Sequence, residues 1–122
     1  MAAAAGRVNL LVVASPEAPE LSVLQRLPPH VKVVGTGQTL ADLASQLRSG
    51  EQWGGVDAML ICGVGKLAGK REHIQEFWPR LSGLKWLHSC SAGLEHLLFP
   101  ELVQSSVVLT NARGVYSHSL AE

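Results

Sequence analysis

No sign of charge predominates in this chain. Ten Lys and Arg stand against ten Asp and Glu over 122 residues. There is no basic excess to neutralise a phosphate backbone and no acidic tail, so nucleic acid is not an expected partner. Charged residues are scarce altogether, at 16% against 47% hydrophobic, the balance of a chain that folds rather than one that stays disordered. No apolar run reaches the roughly 20 residues needed to cross a bilayer, so no membrane partner is expected. "MAAAAGR" lacks the charged opening and long apolar centre of a secretory signal. A reducing cytoplasmic setting is expected, with a short organelle-targeting role left open by the Ala run and Arg7. Cysteine is limited to Cys62 and Cys90. They form no CxxC pair and each closes a strand-like run, so both are expected to be small core hydrophobes rather than redox or metal groups. A single domain of this length buries a core without disulfide or metal staples.

The familiar chemical signatures are also incomplete. None of the five histidines falls in HExxH or another ligand spacing, so no metal site is expected. Ser91 sits in no GxSxG elbow. "GVGKLAG" places Gly63-x-Gly65-x-x-Ala68 between a strand and a helix, in outline a dinucleotide fingerprint. Yet Gly83 to Ser89, about 20 residues on, offers no acidic residue for a ribose. A Walker loop fails as well, with Val64 in place of its first glycine and Arg71 in place of its Ser or Thr. The glycines do permit close backbone approach, with strand-end amides that can bind an anion such as a carboxylate. An ordinary loop turning into a helix is the other reading. His30, His73 and His96 read as surface residues, while His88 and His118 either approach a site or are satisfied elsewhere. Tyr116, the only tyrosine, either donates its hydroxyl to a ligand or packs its ring with the tip exposed.

What is present is alternation. Buried-strand patterns occur in "VNLLVVAS", "VKVVGTG", "DAMLICGVG", "LKWLHSCSAG" and "SVVLTNARG". Between them "PELSVLQRL" predicts a helix on Leu21, Val23, Leu24 and Leu27 that stops at Pro28-Pro29. "TLADLASQLRSG" predicts a helix with a Thr39/Asp42 capping box, an apolar face of Leu40, Leu43, Ala44 and Leu47, and a C-terminal cap at Gly50. "REHIQEFWPRLSG" predicts a third, interrupted at Pro79, and "LEHLLFPEL" a short fourth. Such a pattern implies an α/β fold, a flavodoxin-like doubly wound parallel sheet of about five strands with helices on both faces. Its ligands bind outside the carboxyl ends of the strands, where Gly63 to Gly65 and Ser91 to Gly93 fall. Residues 1–7 read as a flexible N-terminus, 8–114 as the domain, and 115–122 as the start of a further helix. That helix opens with the capping pattern Ser119-x-x-Glu122 and is cut short, so the chain reads as a portion of a longer protein.

Taken together, "LKWLHSCSAGLEHLLFPEL", "VVLTNARG" and "VYSHSLAE" resemble the D-isomer-specific 2-hydroxyacid dehydrogenases in motif, order and spacing. The resemblance runs over most of the chain from Val8 and is most specific from Leu84 to Glu122. It implies a flavodoxin-like substrate-binding domain whose missing partner is an inserted Rossmann domain carrying NAD or NADP and the catalytic Arg, Glu and His. The reaction implied is hydride transfer between the nicotinamide and a small 2-keto or 2-hydroxy acid such as glyoxylate or hydroxypyruvate, in an enzyme that is a homodimer at full length. Carried over onto this sequence, the amides of Gly63, Val64 and Gly65 hold the substrate carboxylate and Tyr116 faces the substrate. His118 departs from the Pro frequent at its position. The catalytic residues and cofactor fingerprint have no counterparts here, so the resemblance implies that this chain binds no cofactor and is inactive by itself. A non-catalytic flavodoxin-like binding or regulatory module is the rival reading.

Overall fold

The computed structural model describes residues 7–62, 66, 68–90, 97–111 and 114–115. Six strands form one sheet in the order β2-β1-β3-β4-β5-β6. They are β1 (Val8–Val13), β2 (Val31–Gly37), β3 (Ala58–Ile61), β4 (Trp86–Ser89), β5 (Val108–Asn111) and β6 (Gly114–Val115). The first five are mutually parallel, and 2-1-3-4-5 is the flavodoxin-like order. The short β6 was not expected from the sequence. It turns back antiparallel on β5, pairing Val115 with Thr110 and Gly114 with Asn111.

The central strand shows why the sheet is covered on both sides. Alternate residues of "VNLLVV" point to opposite faces, and Leu10, Leu11, Val12 and Val13 are all buried. Leu11 and Val13 meet the larger core with Leu43, Trp53, Ile74, Phe77 and Leu102. Those residues come from α1 (Leu40–Ala44), α2 (Gly50–Gly54), α3 (Arg71–Phe77) and α4 (Pro100–Val103). Leu10 and Val12 face the other way, onto Leu21, Leu24 and Leu27.

Two helices differ from expectation, each for a local reason. Pro19–Arg26 is a 3-10 helix rather than an α-helix. Its leucines recur every third residue, and at three residues per turn such side chains stack in one line, which here lies on the sheet. The helix expected over 39–50 is two helices. Thr39 caps α1 in a reciprocal box with Asp42, as expected. Gly50 does not end that helix but begins α2, because Ser49 and Gln52 form a second capping box. The break lets Trp53 turn inward, where it is 1% exposed and its indole N–H donates to the Leu47 carbonyl at 2.9 Å. Its ring lies 5.6 Å from that of Phe77. Pro79 interrupts the third helix as expected, converting its end into the 3-10 turn Trp78–Arg80.

The two faces are not equally covered. On the side of the 3-10 helix, β4 and β5 present Trp86 at 45% and Val108 at 43% exposure. The β2 edge is finished differently. Its register slips by one residue between Leu10 and Leu11 of β1, so Val34 is the extra residue of a bulge. Beyond the bulge, the Gln46 side-chain amide accepts from the Thr36 N–H at 3.0 Å and donates to the Thr36 carbonyl at 2.9 Å. No described helix is long and apolar enough to cross a membrane.

Candidate functional site

In a 2-1-3-4-5 sheet the strand order reverses between β1 and β3, and helices leave the sheet in opposite directions there, opening a crevice at the carboxyl ends. β1 ends at Val13 with Ala14 and Ser15 following, and β3 ends at Ile61 with Cys62 following. The Cys62 N–H donates to the Val13 carbonyl at 3.1 Å, so the two exits stay side by side.

The chain leaves β3 at Cys62 and returns to the same place. The Gly69 N–H donates to the Cys62 carbonyl at 3.0 Å, and Ala68 bridges antiparallel to Ala14. The return is possible because residue 69 is glycine. A Cβ there would lie 2.5 Å from the Val13 carbonyl oxygen and 2.9 Å from the Ile61 Cγ2. Its φ is outside the left-handed region, so the requirement is for space alone.

A second anchor comes from the end of β2. Gln38 donates from its side-chain amide to the carbonyls of Lys66 at 2.7 Å and Ala68 at 3.0 Å. Gln38 is itself held by α1, since its backbone N–H donates to Asp42 Oδ2 at 3.0 Å and the Thr39 N–H to the same oxygen at 3.2 Å. Those two N–H groups, Gln38 foremost, hold the Asp42 carboxyl below its ordinary pKa. Gln38 had no signal in the sequence, because its role depends on where the β3 exit loop lands.

The residues expected to contact a ligand, Gly63, Val64, Gly65 and Tyr116, lie outside the described residues, as do Ser91 to Gly93, His96 and His118. The structure describes both flanks of the glycine stretch, Cys62 and Lys66, at the crevice. His88 lies within β4. It is the third residue of β4, in register with Leu60 and Thr110, and its Nδ1 lies 2.6 Å from the Thr110 hydroxyl. The Trp86 indole donates to that same hydroxyl at 2.9 Å. After accepting from the indole, the hydroxyl keeps its own proton and a second lone pair, so it partners Nδ1 in either tautomer of the ring. Burial pushes the His88 pKa down, which favours the neutral ring. His88 is thus satisfied within the sheet.

His30 is exposed, as expected. His73 departs from the expected surface role, being half-buried with an enclosed Nδ1 that has no hydrogen-bond partner among the described residues. Of the cysteines, expected in the core, only Cys62 lies there. Cys62 is buried, but Cys90 is exposed, and their sulfurs lie 2.8 Å apart. Among the described residues no three His, Cys, Asp or Glu side chains gather to hold a metal ion.

At the carboxyl ends of β1 and β3, Gln38, Cys62 and Gly69 thus tie together the described ends of the segment that leaves β3. No family model, no curated protein and no solved structure matches the chain.

Proposed function

We propose that the chain is the substrate-binding part of an NAD- or NADP-dependent D-2-hydroxyacid dehydrogenase, receiving the carboxylate of a small 2-keto or 2-hydroxy acid. The observation that carries the reading is the attachment of the glycine-containing loop at the strand-order reversal, tied at its base by Gly69 to Cys62 and on its return by Gln38. Open sheets of this order bind ligands there. The resemblance of "LKWLHSCSAGLEHLLFPEL" and "VVLTNARG" supplies the chemical class. In this reading the amides of Gly63, Val64 and Gly65 receive the carboxylate, and Tyr116 faces the rest of the substrate.

Among the described residues, the strand ends do not fit a nicotinamide dinucleotide. The strand after α3 that should end on a ribose-binding carboxylate is Trp86–Ser89, "WLHS", with no acidic residue. The reading assigns cofactor and proton transfer to a second domain, and no step of the hydride chemistry to these residues.

The test is a titration of the isotopically labelled chain with glyoxylate, hydroxypyruvate and NADH, followed through its backbone amide resonances. The acids are expected to shift residues 63–65, and NADH to shift nothing in this crevice. Gly65→Val puts a β-branched side chain against the approaching carboxylate. Each charge-assisted hydrogen bond lost should cost about 1.5–3 kcal/mol, or about one to two decades of affinity. Tyr116→Phe should cost less. Acids that leave 63–65 unmoved, or a Gly65→Val chain that binds them as well as the parent, would overturn the assignment.

A further inference from the structure

We propose that Cys62 and Cys90 form a dithiol site that a low-molecular-weight disulfide of the glutathione type oxidises reversibly to an intrachain bridge. The inference rests on the sheet, not on the dehydrogenase reading. The last ladder pair of β3 and β4 is Ile61 with Ser89, and the Cys90 N–H donates to the Ile61 carbonyl at 2.9 Å. Cys62 and Cys90 are thus the next residues out on adjacent parallel strands. Strands in a sheet lie about 4.8 Å apart, inside the Cα separation that a disulfide spans. The sulfurs are 2.8 Å apart, so a bridge needs little movement of either backbone.

The two thiols differ in access, and that sets their order of reaction. Cys90 is exposed, whereas Cys62 is 2% exposed. The Cys90 thiolate attacks one sulfur of the small disulfide. That S–S bond breaks, one small thiolate leaves, and Cys90 carries a mixed disulfide. Cys62 then gives up its proton and attacks Cys90 Sγ, and the second small thiolate leaves. The protein loses two electrons and two protons, which reduce the small disulfide to two thiols. A bulky oxidant that cannot reach Cys62 still completes the bridge, because the second step is intramolecular. The product clips together the exits of β3 and β4 from the crevice side of the sheet.

The experiment exposes the full chain to glutathione disulfide at mildly alkaline pH, where part of a thiol is ionised. Remaining thiols are then blocked, and intact mass and unreduced tryptic peptides are measured. The expected result is a monomer lighter by two hydrogens, a linked peptide pair 49–66 with 86–113, and full reversal by dithiothreitol. Cys62→Ser should stop at the mixed disulfide on Cys90, and Cys90→Ser should stay unmodified while folded. Closure of the bridge should be at least about tenfold faster in the folded chain than in urea, since the fold holds the sulfurs together. A parent chain that stops at the mixed disulfide, resists oxidation, bridges only between molecules, or closes no faster folded than unfolded would overturn the proposal.

Discussion

A single methyl group added at residue 69 is expected to destabilise the protein, while the same group at residue 50 should stabilise it. At Gly69 the new Cβ would stand 2.5 Å from the Val13 carbonyl oxygen, 2.8 Å from Val13 Cγ1 and 2.9 Å from Ile61 Cγ2. All three atoms belong to β1 and β3, the centre of the sheet, so none can swing aside as a surface side chain would. Overpacking of this kind costs about 1–3 kcal/mol. Displacing residue 69 also stretches its hydrogen bond to the Cys62 carbonyl, worth about 0.5–1.5 kcal/mol. Against this, Ala restricts the unfolded chain and returns about 0.4–1 kcal/mol. The net is a loss of about 2 kcal/mol. At Gly50 a Cβ meets nothing within 4 Å, leaving only the gain. Urea unfolding followed by tryptophan fluorescence separates the two variants. With a denaturant slope of about 2 kcal/mol per molar, Gly69→Ala should lower the midpoint by about 1 M and Gly50→Ala should raise it slightly. Equal midpoints, or a reversed order, would refute the claim that the loop returns through a space only glycine leaves open.

Two more outcomes follow from the caps and the titrating groups. Thr39→Ala and Ser49→Ala each remove a side chain that accepts from the third helical N–H and should each lower stability by about 1 kcal/mol; urea midpoints unchanged in both would mean the two short helices are held by packing alone. His88 titrates below its ordinary 6.5 because it is partly buried, so the unfolded chain takes up this proton first as pH falls. Thermal stability should therefore decline through pH 6.5 and stop declining below the depressed folded value. His88→Gln should flatten that segment of the pH profile, and an unaltered slope would remove His88 as its source.

The strands were legible because they are nearly continuous apolar runs, which only a sheet covered on both faces accommodates. The two helical corrections were half legible. Ser49-x-x-Gln52 is a readable capping box, yet the apolar stripe through Leu47 runs up to it without interruption. The every-third spacing of Leu21, Leu24 and Leu27 suits a 3-10 helix and is also tolerated by an α-helix. The candidate site was legible as glycines after a strand. Its tether was not, because Gln38 and Gly69 act on partners some 30 residues away or on a neighbouring strand. The contact of Cys62 with Cys90 was invisible for the same reason, since a sequence separation of 28 says nothing about strand pairing until the order of the sheet is known.

The amide of Gln46 gives the β2 edge an unusual property. An edge strand exposes a row of unpaired N–H and C=O groups on which another chain can build. At Thr36 both groups are already taken, by one side chain that mimics a peptide unit. Four residues earlier, Lys32 places on the same strand the kind of charge that discourages an incoming one, and the bulge at Val34 breaks the straight run a growing ladder requires. At the opposite end of the sheet, β6 occupies Thr110 and Asn111. Strand addition, a common beginning of fibrous aggregation, is thus obstructed along the β2 margin.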